Sequence, residues 1–402
     1  TTGGGVLAIG ASPTLRECRF TLNDCLYGAG VALYEVPGAA LIQSCEFVDN
    51  IGHDGVGIFA TGPGSITVLD CQFTQNDAFI IGGGAALACA EVLVEDCLFQ
   101  NNNADLALAG GLALGNPFNL GTLGFFDATI RRTEFRNNDS SFGGGVYAYQ
   151  VFALFEECLF VGNTGDVAAV GQDLADIVLS RCLVVGNNSD TEILGPSINP
   201  GTLTIDRTTI ANNNCSTVIQ LPGAGAIALS NSIVHGNSGP AWTNPSVSAT
   251  YSNVTGGWPG VGNIDADPLF VDAANGNYHL LPGSPCIDSG DPGATLDPDG
   301  TTIEMGALPF GEALFVRGDA NQDARVDLGD GIWILNEIFL GGAASICQDA
   351  SDANDDGVVD LGDATTIFGH VLLDAGPLPA PGSSCGEDTT DDTLECPGAV
   401  CP

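Results

Sequence analysis

The 402-residue chain reads as an all-β protein, a right-handed parallel β-helix of about nine coils, followed by a small α-helical domain built on two cation loops. Three observations predict this: a motif recurring through the first 240 residues, Gly-rich steps in phase with it, and two acidic loops of matching spacing near the C-terminus. Repetition takes precedence over local propensity, because a repeat that cannot bury its own apolar face must stack on its neighbours.

The motif is Cys-x-Phe-x-x-Asn. It occurs at Cys18/Phe20/Asn23, Cys45/Phe47/Asn50, Cys71/Phe73/Asn76, Cys97/Phe99/Asn102 and Cys158/Phe160/Asn163. Degenerate copies stand at Thr133/Phe135/Asn138, Cys182/Val184/Asn187, Thr208/Ile210/Asn213 and Ser232/Val234/Asn237. Successive spacings are 27, 26, 26, 36, 25, 24, 26 and 24 residues, and the 36 marks an inserted loop over 115–124. Gly-rich steps such as Gly28-Ala29-Gly30 and Gly82-Gly83-Gly84 precede a second short apolar run. Three residues before each Cys slot sits an apolar residue, from Leu15 and Ile42 to Ile205 and Leu229. Side chains alternate along a strand, so positions −3 and 0 share a face only if the chain bends between them.

Each repeat is therefore three short strands separated by turns, closed at an Asn corner. With about 25 residues per repeat, this is one coil of a parallel β-helix, with equivalent positions stacked about 4.8 Å apart. The Phe slot then becomes an aromatic stack and the Asn slot an amide ladder. The 56 glycines and the missing 3.6-residue period exclude helical repeats. Cysteines 18, 45, 71, 97, 158 and 182 are expected as free thiols packed in a small apolar slot that Thr and Ser also fill.

Acidic residues outnumber basic ones 49 to 9, for a net charge of −40, and there is no Lys. A lysine Schiff base and a phosphate-cradling P-loop lysine are thereby excluded. A polyanion is also a poor partner for nucleic acid or anionic membranes. Hydrophobic residues make up 44% against 14% charged, the balance of a packed chain rather than a disordered one. No apolar run is long enough for a membrane-spanning helix, and no signal-peptide pattern is read.

Over about 240 residues the repeat resembles the right-handed β-helix, pectate-lyase-like superfamily. Asn263-Ile264-Asp265-Ala266-Asp267-Pro268-Leu269-Phe270, Tyr278-His279-Leu280, Gly283-Ser284-Pro285-Cys286 and Met305-Gly306-Ala307 resemble a tail segment of secreted bacterial repeat proteins. That resemblance implies a segment closing the C-terminal end of the helix.

Residues 318–376 change character. Asp319, Asn321, Asp323, Asp327 and Asp330 fall at positions 1, 3, 5, 9 and 12 of a loop, with Arg325 offering its carbonyl at 7. Asp352, Asn354, Asp356, Asp360 and Asp363 repeat the pattern, with Val358 at 7. Oxygen donors at this spacing suit Ca²⁺ rather than the tighter octahedron of Mg²⁺, so two calcium sites are expected. Each loop leads into an amphipathic helix, with Ile332, Leu335 and Ile338 on one and Ile367 and Val371 on the other. The tandem arrangement looks like a dockerin, which implies a cohesin-like partner. The chain departs from that family at Ala324, where Gly357 stands in the second loop, and at Leu328-Gly329 and Leu361-Gly362, where small hydroxyl residues are usual.

The sequence divides into repeats (1–249), a closing segment and linker (250–317), the calcium loops (318–376) and an acidic Pro- and Cys-containing tail (377–402). Cys347, Cys385, Cys396 and Cys401 suit two disulfides in an oxidising compartment, and a secreted, extracellular or cell-surface location is expected.

No catalytic set emerges. Polygalacturonase-like patterns are missing, with Gly52-His53-Asp54 the nearest fragment. Arg131, Arg132 and Arg136 form the densest basic group, and His53, His235, His279 and His370 are scattered. Asn138, Asn187, Asn214 and Asn253 head N-glycosylation sequons. The first expectation for function is an extracellular structural protein assembling head-to-tail into a filament, because the repeat begins at Gly3-Gly4-Gly5-Val6 without a cap. The alternative is a polysaccharide-binding or polysaccharide-degrading β-helix on a scaffold, with Tyr34, Phe59, Tyr147 and Tyr149 as sugar-stacking candidates. Like-charge repulsion among the loop carboxylates generates a test: chelation is expected to lower the melting temperature of 318–376 and leave the β-helix unchanged, as followed by calorimetry.

Overall fold

The structure, a computed structural model, describes residues 4–382 and Leu394, excepting 116–124, 197, 198, 200, 221–224, 243–246, 298–300, 311–314, 324, 343, 344, 346 and 374. Its contacts divide the chain into two compact units. One comprises 1–267 with 288–296 and 302–307, and the other 268–287, 297–301 and 308–402.

The first unit is the parallel β-helix. Ten very short strands, from Arg19–Thr21 to Asn253–Val254, form the Phe-slot sheet, and a 22-stranded sheet builds the remaining walls. Equivalent slots pair across turns, Phe47 with Phe73 and Phe73 with Phe99. Among the described residues about eight turns carry strands on each wall, rather than the nine expected. The ninth is reduced to Ile233–His235, an isolated bridge at Trp242 and Val247–Thr250. Pro240 falls in this stretch, and a proline cannot donate to a ladder.

The bend inferred between positions −3 and 0 is a single left-handed residue. Glu17, Ser44, Asp70, Asp96, Arg132, Glu157, Arg181, Arg207 and Asn231 all have φ between 42° and 56°. A second left-handed corner precedes the Asn slot, at Asp49, Gln75, Asn101 and Asn137. Each three-residue Phe strand is thus clamped between two corners that a non-glycine residue adopts only at a cost of about 1 kcal/mol or more.

The ladders offset that cost. Phenylalanines 20, 47, 73, 99, 135 and 160 stack with centroids 4.4–5.1 Å apart and interplanar angles of 3–12°. Every hydrogen-bonding atom of the Asn102 amide is used. Its Oδ1 accepts from the Asn76 amide N–H at 3.0 Å and from Asn76 Nδ2 at 2.9 Å. Its Nδ2 donates to the Phe73 carbonyl at 2.9 Å and to Asn138 Oδ1 at 3.0 Å. The same arrangement runs from Asn50 to Asn213.

The Cys slot is a hydrogen-bonding position rather than a merely apolar one. Cys71 Sγ accepts from the Cys45 amide at 3.4 Å and donates to the Leu69 carbonyl at 3.1 Å. Thr133 and Ser232 hydroxyls substitute because they make the same two bonds. The six ladder thiols are free, as expected. Cys385, Cys396 and Cys401, expected to form two disulfides together with Cys347, lie outside the described residues.

The inserted loop leaves this frame untouched: Val92 pairs with Ala128 and Phe99 with Phe135 in register across it. The last rung is closed by a returning segment, with the Val254 amide donating to Ile264 O at 3.0 Å and Asn263 Nδ2 to Ala249 O at 2.8 Å. The Gly306 and Ala307 amides donate to Asn231 O and Thr209 Oγ1.

The second unit holds an antiparallel pair, Phe270–Asp272 with Asn277–Leu280, and helices α1 (Leu328–Leu340), α2 (Gln348–Ser351) and α3 (Leu361–Leu373). Its core is Ala320, Ile334, Ala353, Ala364 and Ile367. The apolar face expected on α1 is corrected. Asp327 is the N-cap in a reciprocal capping box with Asp330, and this start turns Asp330, Gly331 and Ile334 inward. Ile332 is left 60% exposed and Ile338 39%.

Removing one inner amide takes a hydrogen bond from four groups at once. Asn102→Ala is expected to destabilise the β-helix by about 4 kcal/mol in urea unfolding, and Asn237→Ala, on the half-buried last rung, by clearly less.

Candidate functional site

Outward-pointing residues of one wall stack in a column, Ala32, Phe59, Ala86, Ala113 and Tyr147. The adjoining wall adds Tyr27, Ile81, Leu108 and Phe142, and with Phe59, Ala86, Ala113 and Tyr147 they form a second apolar cluster outside the helix core. Tyr34, Phe59, Tyr147 and Tyr149, scattered in the sequence, all belong to it. Phe59 lies 5.3 Å from Tyr34 and 5.7 Å from Tyr27, centroid to centroid. Phe59 and Tyr147 are buried, and the space among Phe59, Ile81, Ala86 and Ala88 admits no water molecule. The half-buried rings of Tyr27, Tyr34 and Tyr149 are what this wall offers to a ligand.

His53 and Asp54, from the strand Ile51–Asp54, lie beside it. His53 Nδ1 stands 3.2 Å from Asp54 Oδ1, and the imidazole is 6.0 Å from Tyr27 and 5.6 Å from Phe79. Burial pushes the Asp54 carboxyl up from its usual range, and the hydrogen bond from His53 pulls it back. Burial also raises Tyr34 to about 12, with smaller contributions from Tyr27, Cys25 and Asp54. What is assembled here is one acid–imidazole pair, whereas glycoside hydrolysis uses two carboxylates at a fixed separation.

The basic group is committed elsewhere. Arg132 bonds Asp96 and Glu95 at 2.7 Å each, Arg131 bonds Glu156 at 3.0 Å, and Arg136 bonds Glu134. The other three histidines do not join His53: His235 is on the strand Ile233–His235, His279 on Asn277–Leu280, and His370 Nδ1 lies 2.8 Å from Gly376 O. Asn138 and Asn187 are buried ladder amides and Asn253 is buried with its amide bonded to the Ala266 backbone, so three of the four sequons present no accessible side chain. Asn214 is exposed and donates to Asn188.

The two predicted calcium loops share one hydrogen-bond scheme. Asp319 Oδ1 accepts from the Asp323 amide and Asp352 Oδ1 from the Asp356 amide, at 3.0 and 3.1 Å. Asp330 accepts from the Asn321 and Asp327 amides as Asp363 does from Asn354 and Asp360. Asp323 and Asp356 each accept from the position-7 amides of Arg325 and Val358. Asp327 and Asp360 cap α1 and α3 through Gly329 and Gly362. Ala324 lies outside the described residues.

Among the described residues no three His, Cys, Asp or Glu side chains lie at metal-holding distances. The donor set nonetheless fits a hard cation. Asn354 Oδ1, at position 3, is buried with no hydrogen-bond partner among the described residues. Burial raises both position-12 carboxyls, Asp330 and Asp363, to about 6, and like charges nearby, on Asp319 and Asp323 for one and Asp352 for the other, add to the rise. A divalent cation relieves such crowding.

Sequence reasoning missed Tyr27 and Phe142, which become relevant only when two walls meet, and Arg317. This arginine is fully buried beside the second loop and bonds Asp355 at 2.9 Å. No signal in the linear pattern marks it.

Residues 4–188 match a family model described as a right handed beta helix region. Among solved structures the chain is similar to the crystal structure of pectate lyase Pel9A, at 14% identity and a TM-score of 0.38, with 70% of each chain covered. No curated protein matches it.

The raised carboxyls set a pH trend. A group whose folded pKa of about 6 exceeds its ordinary 3.8 stabilises the fold most below 3.8 and loses that contribution as pH rises through 6. The cation-free second unit is therefore expected to melt at lower temperature at pH 7 than at pH 4.5, and added Ca²⁺ to reverse the order, as read by calorimetry.

Proposed function

We propose that this is an extracellular glycan-binding β-helix whose second unit is organised by two Ca²⁺ ions and serves for attachment. The observation that carries the reading is one supported aromatic wall that bears Tyr27 and Tyr34 from one turn and Tyr149 from four turns further along. Rings held by packing against Phe59 and Tyr147 lose little conformational freedom on binding. They offer apolar faces to the C–H face of a sugar and hydroxyls to its rim. The β-helix fold suits a polymeric ligand, since its walls repeat along the axis.

Calcium supplies positive charge to loops that otherwise crowd carboxylates. Asp319, Asn321, Asp323, Asp327 and Asp330 would hold one ion, with the Arg325 carbonyl. Asp352, Asn354, Asp356, Asp360 and Asp363 would hold the other, with the Val358 carbonyl. Loops of this kind in extracellular modules work at the high calcium found outside cells. Ile332, Trp333, Phe339 and Leu340 of α1 are exposed, which supports attachment to a cohesin-like protein partner.

Head-to-tail filament assembly has less support, because the returning segment at Asn263, Ile264, Gly306 and Ala307 already covers the last rungs.

Affinity electrophoresis through gels containing neutral or acidic polysaccharides tests the reading. Tyr34→Ala and Tyr149→Ala are each expected to weaken retardation about tenfold, the loss of one stacked ring. Phe152→Ala, on another wall, is expected to leave it unchanged. Free migration of the native chain through the whole panel overturns the glycan reading.

A further inference from the structure

Arg317 is a fully buried cation in a unit rich in carboxylates. Its guanidinium is satisfied on every side. Nη1 donates to the Asp352 carbonyl at 2.6 Å and to the Asp349 carbonyl at 3.3 Å. Nε donates to Ala380 O at 2.7 Å, Nη2 pairs with Asp355 at 2.9 Å, and the plane lies 5.1 Å from the Phe315 ring centroid. Burying such a group is costly unless its partners are fixed, so the site is built rather than incidental.

Two of these contacts, with the Asp352 carbonyl and the Asp355 carboxylate, fall on the frame of the second calcium loop and not on its ligand oxygens. Asp352 is held through its backbone carbonyl, leaving its carboxylate to the loop, where Oδ1 and Oδ2 take the Asp356 and Gly357 amides. Asp355 sits at position 4, which ligates nothing. With Asp355 beside it, Arg317 brings directional hydrogen bonds without a net charge opposing a cation.

Among the described residues, the first loop lacks this arrangement. Position 4 has the same left-handed backbone in both loops, φ 59° at Gln322 and 62° at Asp355. Gln322 carries no charge to meet a guanidinium, and its Nε2 is buried without a hydrogen-bond partner among the described residues.

We propose that Arg317 is a positioning residue that holds the 352–363 loop in its cation-accepting form before any cation arrives, so that this loop fills with calcium before the 319–330 loop. A frame fixed in advance removes the ordering cost that the first loop meets on binding. The inference rests on the calcium reading of the two loops.

Isothermal titration of the full chain with Ca²⁺ alone, one loop disabled at a time, tests it. Asp330→Asn leaves the second loop active and Asp363→Asn the first. The second loop is expected to bind about tenfold more tightly, a gap the size of one or two charge-assisted hydrogen bonds. Arg317→Met, added to each variant, is expected to erase the gap by weakening the second loop alone. Should Arg317→Met fail to fold, Asp355→Asn serves instead, and a selective loss at the second loop is again expected. Equal affinities with Arg317 in place, or a gap that survives both substitutions, overturn the proposal while leaving calcium binding intact. The absence of any Ca²⁺ binding by the native chain overturns the calcium reading and the proposal with it.

Discussion

The amide at the Asn corner is the constraint on which the β-helix depends. A turn of about 25 residues must reverse direction repeatedly, and each corner exposes backbone groups that strand pairing cannot satisfy. One side chain settles the corner by bonding the turn before and the turn after, as Asn102 does with Asn76, Phe73 and Asn138. Because each rung needs its neighbour's amide, the ladder is cooperative along the axis, and the stacked phenylalanines lie against it.

The second unit solves a different electrostatic problem with the same economy of parts. Asp330 and Asp363 are buried at helix starts, where the amides of the first turn favour negative charge. They also face other carboxylates, and the balance leaves them raised to about 6. The capping box that starts α1 and the loop that gathers acid groups share one residue, Asp330. Helix formation and the proposed cation binding would thus be coupled through a single side chain.

Much of the β-helix was legible because its repeats are in register with its structure. Spacing alone placed Phe99 over Phe73 and required a bend before each Cys slot, which the left-handed residues supply. The chemistry of the Cys slot was read less well, since apolar size and hydrogen-bonding capacity coincide in Cys, Thr and Ser. The count of turns ran one too high, because Ser232/Val234/Asn237 starts a turn of which the described residues carry only Ile233–His235, a bridge at Trp242 and Val247–Thr250. On α1 the apolar residues gave the helix but not its inward face, which the Asp327 cap sets. The aromatic wall was legible only as scattered residues, since neighbours on successive turns are separated by about 25 residues. Arg317 was invisible for a similar reason: its partners at 349, 352, 355 and 380 share no period with it.

The inserted stretch after Gly115 bears on how such a molecule changes over time. Ten extra residues in one turn leave the Asn102–Asn138 contact at 3.0 Å, the same as in turns without them. Rungs are defined by their corners and not by the length of chain between them. Each turn is therefore a separate tolerance zone, in which an insertion is absorbed locally and no neighbouring turn has to be redesigned. A lineage with this scaffold can trial new surface loops one turn at a time, keeping the axis fixed while the outside diversifies.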